Sequence, residues 1–295
     1  MTRDFVGYGR KPPEVKWPGG ARLAVSFCIN YEEGAEKSVQ EGDEYPERFS
    51  ELPYGLNLKI RDLAVESMYE YGSRVGFWRV LNIFNRHGIK TTFYACARTL
   101  ERNPEAAKEI MRTGHEVCSH GERWDEHFLM TREEEQRSIR AAVQSLERTT
   151  GQRPVGWYCR YGPGIYTRDL LAEEGFLYDS DSYADDIPYL VKVKGKDFLV
   201  LPYTLDVNDF QFWINRFSTA DQFYQYAKDS FDYLYKESET TPRMLSIGLH
   251  LRIIGRPGRI GALQKLIEYV ARFPDVWITR RIDIANWWIK HFKHG

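Results

Sequence analysis

Short apolar runs alternate with amphipathic segments along most of the chain. Residues 23–30, LAVSFCIN, form a short and almost wholly apolar run, which is typical of a strand that is buried on both faces. Residues 74–88 instead repeat apolar side chains at helical spacing, with Phe77 and Phe84 on one face and Gly88 as the end signal. The pattern therefore predicts a strand and, after a long segment, a helix.

The same alternation continues to the C-terminus. Further strands are predicted at residues 90–96, 115–120, 155–159, 198–203, 244–250 and 276–280. Further helices are predicted at residues 103–114, 131–151, 167–175, 218–238, 259–273 and 282–292. Asn103 before a proline, and Thr131 with Glu134 as a capping box, mark two helix starts. Alternation at this rate predicts an α/β fold with a closed or nearly closed (β/α) barrel.

Two segments do not fit the alternation. Residues 31–73 and 178–195 are long and rich in Gly, Pro, Asp and Tyr, so we predict loops there that serve function or oligomer contacts. No linker or internal repeat divides the chain. The expected organisation is a single domain over residues 1–295, with a barrel core at about residues 20–290.

Composition excludes several classes of partner. The 295 residues include 41 basic and 42 acidic side chains, so no surface for nucleic acid or an anionic membrane is expected. The N-terminus has no apolar signal region, and no run approaches the roughly 20 apolar residues of a membrane span. Three of the four cysteines lie in apolar runs and none forms a CxxC pair. We therefore predict a soluble, cytoplasmic protein with reduced, buried cysteines.

Polar side chains follow several predicted strands at the point where each strand ends. Because active sites of parallel α/β folds gather at the carboxyl ends of strands, these residues are expected to converge. They are Asn30, Glu32, Glu33, His120, Arg160, Asp206 and His250. Carboxylates and histidines that activate water, protonate a leaving nitrogen and hold an oxyanion together suit hydrolysis.

A purely structural role is also open for each candidate. A histidine at a strand end can be packed in the core, and the Glu32–Glu33 pair can be a solvated turn. Arg160 can bridge acidic loops, and Trp124 can be core packing. The residues alone therefore favour a hydrolytic site without establishing it.

Four stretches of the chain resemble, in order, the motifs of the polysaccharide deacetylase (NodB-homology) superfamily. They are CINYEEGAE, SHGERW, CRYGPG and GLH. The resemblance spans roughly residues 20–290 and implies an irregular (β/α) barrel. In metal-dependent members, aspartates of the first motif and two histidines of the second serve as base and metal ligands. Here Asn30 or Glu32 matches the base, Glu32 or Glu33 matches the carboxylate ligand, and Trp124 replaces the second histidine.

An indole has no electron pair to give a cation, so the resemblance predicts no metal and no other cofactor. The metal-independent allantoinase branch of the superfamily shows the same replacement. Stretches such as INYEEGAE, YEYGSRVGFWR, FLYDSDSYADDIPY and LPYTLDVND resemble that branch. The resemblance implies that a homotetrameric enzyme opens the hydantoin ring of allantoin to allantoate in purine catabolism.

The resemblance also suggests a role for each candidate residue. Glu32 or Glu33, with His120, would position or deprotonate water, and His250 would protonate the leaving ring nitrogen. The expected substrate-binding residues are Asn30, Trp124, Arg160 and Asp206. In this hypothesis Trp124 walls the pocket and offers one N–H donor.

The stretch WYCRYGPGIYT departs from the pattern of these allantoinases, and three alternatives stay open. One is a hydrolase of cyclic imides. The second is an atypical metal-dependent polysaccharide or peptidoglycan deacetylase that recruits its ion through Glu32 and His120. The third is an inactive carbohydrate-binding relative with an open groove lined by Trp157, Tyr161 and Trp213.

Overall fold

The computed structural model describes residues 3–14 and 16–292, so the predicted domain limits at residues 1 and 295 lie outside the described residues. A nine-stranded sheet lies at the centre of this part of the chain. Its strands are β1 Leu23–Tyr31, β2 Thr92–Ala95, β3 Glu116–Ser119, β4 Gly156–Trp157, β5 Tyr178–Asp179, β6 Tyr189–Val193, β7 Lys196–Val200, β8 Arg243–His250 and β9 Val276–Ile278.

The sheet runs in the order β6-β7-β5-β4-β3-β2-β1-β8, and β9 pairs with the first part of β1. All pairs are parallel except the β6–β7 hairpin. Every residue of β1 is buried, which explains its unbroken apolar sequence, because helices and the barrel interior cover its two faces. The parallel order brings the carboxyl ends of β1, β2, β3 and β8 to one edge.

Helices surround the sheet. They are α1 Leu63–Tyr71, α2 Phe77–Arg86, α3 Ala97–Arg102, α4 Pro104–Arg112, α5 Arg132–Thr150, α6 Thr167–Glu173, α7 Ala220–Glu237, α8 Leu251–Ile254, α9 Pro257–Val270 and α10 Arg281–Phe292. The predicted caps are confirmed: the Asn103 side chain accepts from the Ala106 N–H, and Thr131 and Glu134 form a capping box. Among the described residues, no helix has the length and apolar character needed to cross a membrane.

The prediction of a closed or nearly closed barrel was too strong, since the sheet is a curled half-barrel. In the described residues, β7 and β8 do not pair with each other. An irregular segment, residues 203–208, lies against β8 instead: the Gly248 N–H donates to the Val207 carbonyl at 2.8 Å, and the Thr204 N–H donates to Ser246 Oγ at 2.7 Å. The first of these bonds satisfies a backbone N–H group at the free edge of β8 without a further strand.

Two predicted loops contain regular structure. Residues 31–73 include α1, which continues through a π-helical turn, Gly72–Gly76, into α2. Residues 178–195 include β5 and β6. The sequence did not predict helix α1, because this helix buries only Val65 and Tyr69 and its apolar repeat is therefore weak. All four cysteines are free and buried, as predicted.

A buried histidine, His115, lies just before β3, at the other end of this strand from His120. Its Nδ1 accepts from the Thr91 N–H at 3.0 Å, and its Nε2 lies 3.2 Å from Asn85 Oδ1. Burial, reinforced by nearby Lys90 and Arg280, lowers the pKa of this imidazole to about 4. Because the unfolded chain takes up this proton at about pH 6.5, the stability that neutral His115 confers is complete above that pH and is lost toward pH 4.

We expect His115→Gln to flatten the pH dependence of the unfolding free energy between pH 4 and 6.5. The loss of one titrating group should reduce the slope by up to about 1.4 kcal/mol per pH unit. Urea unfolding at several pH values measures this slope. His87→Gln, at an exposed position, is the matched control and should leave the slope as it is. Equal slopes for wild type and His115→Gln would contradict the assignment.

Candidate active site

A cavity of about 540 Å³ opens at the carboxyl ends of the central strands. Glu32 follows β1, His120 follows β3 and His250 ends β8, so the strand-end rule brings these three together as predicted. Loops complete the wall with aromatic rings: Phe49, Tyr158, Tyr161, Tyr183 and Phe210. The cavity therefore combines a polar floor with an aromatic rim.

Glu32 is the centre of the polar floor and is almost wholly buried. Its Oε1 lies 3.2 Å from His120 Nε2 and 3.1 Å from Arg160 Nε. Its Oε2 lies 2.7 Å from Arg252 Nη2 and 3.7 Å from His250 Nε2. Burial alone would raise the pKa of this carboxyl, but the guanidinium groups of Arg252 and Arg160, with the hydrogen bond to His120, hold it well below its ordinary value. Glu32 is therefore an anion at neutral pH and a weak proton acceptor.

The orientation of His120 is set by its neighbours. Its Nδ1 lies 2.5 Å from the Tyr158 carbonyl oxygen, which only accepts, so Nδ1 carries a proton. The ring stacks on Tyr158 at a centroid distance of 5.2 Å. A hydrogen bond between Nε2 and Glu32 Oε1 then requires one further proton shared between those two atoms. His120 and Glu32 act as one unit facing the cavity.

His250 is held by a buried carboxylate that the sequence did not single out, Asp209. The Nδ1 of His250 lies 2.7 Å from Asp209 Oδ1. The other oxygen, Oδ2, accepts from the backbone N–H groups of His250 and Ile254 at 2.8 and 3.1 Å. With its Nδ1 proton donated to Asp209, a neutral His250 presents an unprotonated Nε2 to the cavity. This arrangement can take up and return a proton.

Arg160 is held over Trp124. The guanidinium carbon lies 3.6 Å from the centroid of the Trp124 ring and 4.2 Å from that of Tyr161. Trp124 itself is wholly buried, and its Nε1 has no hydrogen-bond partner among the described residues. The expectation that Trp124 walls the pocket and offers a donor was therefore wrong. Trp124 lies behind Arg160 and supports it by a cation–π contact.

Asn30, two residues before Glu32, and Glu33, directly after it, face different surroundings. Asn30 lines the cavity and donates from Nδ2 to the Leu249 carbonyl at 3.1 Å. Glu33 turns away from it: its Oε1 accepts from the Arg252 N–H at 3.2 Å, and a Cβ on Gly72 would come within 2.3 Å of that oxygen. Burial raises the pKa of Glu33. Of the two glutamates, Glu32 is therefore the one whose position allows it to act on a water molecule in the cavity.

The placement of Asp206 in the site was wrong. Its side chain is exposed and accepts a hydrogen bond from Tyr226 at 2.8 Å, outside the cavity. The chain makes its contact with Gly248 two residues later, at Asn208, which lines the cavity, and Asp209 follows as the buried partner of His250. Because residues 203–208 do not form a regular strand, counting along the chain from the predicted strand led to Asp206 instead of these residues.

Arg252 is a further residue of the site that was not predicted from the sequence. It is almost wholly buried and contacts both Glu32 and Glu33. The available signal was an arginine inside the apolar run LRII, because a buried arginine requires an anionic partner.

The donor set does not fit the zinc ion of the metal-dependent superfamily members. Within residues 3–14 and 16–292, no group of three or more His, Cys, Asp or Glu side chains is placed to hold a metal. Each oxygen of Glu32 contacts a guanidinium group, and Trp124 offers no lone pair. A catalytic zinc site takes three protein ligands and a water molecule, and this site does not supply them.

A family model described as polysaccharide deacetylase matches residues 60–176. A putative polysaccharide deacetylase from Schizosaccharomyces pombe is 38% identical over 311 residues, covering 97% of each chain. The chain belongs to the polysaccharide deacetylase family.

Two solved structures resemble the chain over its whole length. A probable polysaccharide deacetylase from Pseudomonas aeruginosa PAO1 is 46% identical, with complete coverage of both chains and a TM-score of 0.95. PuuE allantoinase is 44% identical, covering 100% of this chain and 99% of its own, with a TM-score of 0.94. The predicted superfamily and the (β/α) barrel type are thus confirmed. Membership in a deacetylase and allantoinase family supports the prediction of a hydrolase that cleaves carbon–nitrogen bonds.

Proposed function

We propose that this protein opens a cyclic amide by hydrolysis, with allantoin as substrate and allantoate as product, and that it does so without a metal. The observation that carries the proposal is the buried Glu32, which two guanidinium groups and two histidines contact at the floor of one cavity. The site therefore already holds the positive charge that a metal supplies elsewhere in the family. The likeness to PuuE allantoinase supports the choice of substrate.

In the proposed reaction, Glu32 and His120 hold the attacking water. His250 accepts one proton of that water at Nε2 while the oxygen adds to the ring carbonyl. Arg160, on the cavity wall, stabilises the negative charge that develops on the carbonyl oxygen. The C–N bond then breaks, and His250 returns its proton to the departing nitrogen. One water is consumed, and the products are an N–H₂ group and a carboxylic acid, which releases a proton to become the carboxylate.

The chemistry of the substrate favours catalysis by side chains alone. In a hydantoin, the departing nitrogen lies between two carbonyl groups, so the charge that it acquires is delocalised. Positioned acid–base groups, each typically worth about 10² to 10⁴ in rate, can then act where an acetamide needs a Lewis acid. A place in purine catabolism and a homotetramer stay predictions from the sequence resemblance, and a cytoplasmic location stays a prediction from composition and cysteine usage.

Prolonged dialysis against a chelator should leave the turnover of allantoin unchanged, because the groups assigned to catalysis are side chains. Elemental analysis should find transition metal far below one ion per chain. Allantoin, dihydrouracil, succinimide and an acetylated chito-oligosaccharide are assayed in parallel on the dialysed protein.

Each alternative has a distinct outcome in this assay. Activity that disappears on chelation and returns with zinc would identify a metal-dependent deacetylase and end the present proposal. Turnover of succinimide alone would favour a cyclic imide hydrolase. The inactive carbohydrate-binding relative predicts no turnover, but one of the rings assigned to its groove, Trp157, is wholly buried in the core.

A further inference from the structure

Glu47 is a buried carboxylate that lines the cavity and has no role in the reaction described above. It lies in the long segment between β1 and α1. Its side chain is 6% exposed. One oxygen, Oε1, accepts from the backbone N–H groups of Arg48 and Phe49 at 2.9 and 2.7 Å. The other oxygen, Oε2, has no hydrogen-bond partner among the described residues.

The position of this carboxylate is built into the fold. The Glu47 N–H donates to the Lys37 carbonyl at 2.9 Å, and the Tyr69 hydroxyl donates to the Phe49 carbonyl at 2.8 Å. The position of Glu47 is thereby fixed by a contact with Lys37 before it and by a contact of helix α1 with Phe49 after it. A buried carboxylate oxygen without a donor is unfavourable, and a group that enters the cavity with an N–H would satisfy it.

We propose that Glu47 Oε2 accepts a hydrogen bond from an N–H of a ureido substituent on the substrate. Glu47 then selects cyclic amides that carry such a substituent over bare rings. This inference rests on the proposed cyclic-amide hydrolysis and adds the substrate group that the cavity recognises. Oε1 already accepts from two backbone donors, so Oε2 is the oxygen that is left to accept from a ligand N–H.

Glu47→Gln tests the proposal sharply. The two backbone N–H groups require an acceptor, so the amide oxygen stays at the Oε1 position and the NH₂ group points into the cavity. The variant therefore presents a donor where the wild type presents an acceptor. We expect the ratio of kcat/KM for allantoin to kcat/KM for hydantoin, which has no ureido group, to fall by about 10- to 100-fold.

Glu126→Gln is the matched control. Its carboxylate lies 2.7 Å from Lys37 Nζ, beside the same segment, but does not line the cavity. This variant removes one negative charge nearby and should leave the substrate ratio unchanged. Glu47→Asp keeps the charge but withdraws the carboxylate by one methylene, and it should lower the ratio in the same direction even if Glu47→Gln fails to fold.

The proposal is overturned if Glu47→Gln and Glu47→Asp lower kcat/KM for allantoin and for hydantoin by the same factor, or if they change neither value. If the wild type hydrolyses neither ring, the proposed function fails, but calorimetric titration with allantoin and hydantoin still decides the role of Glu47. Tighter binding of allantoin by the wild type that is lost in the Glu47 variants supports it. Equal binding of the two rings refutes it.

Discussion

Asp209→Asn should lower kcat for cyclic-amide hydrolysis by about 10³- to 10⁴-fold. Asp209 Oδ2 accepts two backbone N–H groups, so the oxygen of the new amide is retained there. Its NH₂ group then faces His250 Nδ1, which must become the acceptor. The ring proton moves to Nε2, and His250 no longer accepts a proton from water.

Asp206→Asn makes the same chemical change three residues away. Its carboxylate is exposed and hydrogen-bonds only to Tyr226 among the described residues. We expect its kcat to match that of the wild type. Steady-state kinetics on both variants, with thermal unfolding as a check of the fold, give the comparison. A similar kcat for the two variants would mean that His250 does not move the proton.

Glu32→Gln should reduce both stability and activity. The change removes a buried negative charge that contacts both Arg252 and Arg160, and breaking a buried ion pair from one side typically costs about 3 to 5 kcal/mol. Hydrolysis should slow by about 10² to 10⁴-fold, because the water site loses its anion and Arg160 loses its anchor. Urea unfolding and kcat measure the two effects separately.

The stability effect has a defined pH dependence. The folded-state pKa of Glu32 lies well below that of an ordinary carboxyl, so its contribution is present above the unfolded value and is lost as the pH falls through the folded value. The difference in unfolding free energy between wild type and Glu32→Gln should therefore be complete at pH 7 and shrink only in acid.

Glu33→Gln is the control, since it changes the neighbouring glutamate. Burial raises the pKa of Glu33, so less free energy depends on its charge, and a glutamine retains an acceptor for the Arg252 N–H. We expect a loss of about 1 kcal/mol and a kcat close to that of the wild type. Equal losses for the two variants would contradict the special role of Glu32.

Most of the fold followed from local sequence pattern. The apolar runs of β1 and β8 predicted buried parallel strands, and the caps at Asn103 and Thr131 marked helix starts that the structure confirms. The local pattern did not predict that the barrel is open. Whether the two edges of the sheet meet depends on the curl of the sheet and on the irregular segment 203–208. The two-residue strand β5 was not predicted, because it lies at the start of the segment 178–195, whose Gly-, Pro-, Asp- and Tyr-rich composition predicted a loop.

The sequence by itself determined which strands end in polar side chains, and so it brought together Glu32, His120, Arg160 and His250. Only the tertiary structure decided which groups contact them. Asp209 lies 41 residues before His250, Arg252 lies 219 residues after Glu33, and Glu47 enters the cavity from a long loop. Strand periodicity extends only over neighbouring residues, whereas charge pairing and burial depend on distance in space, which the chain sets when it folds.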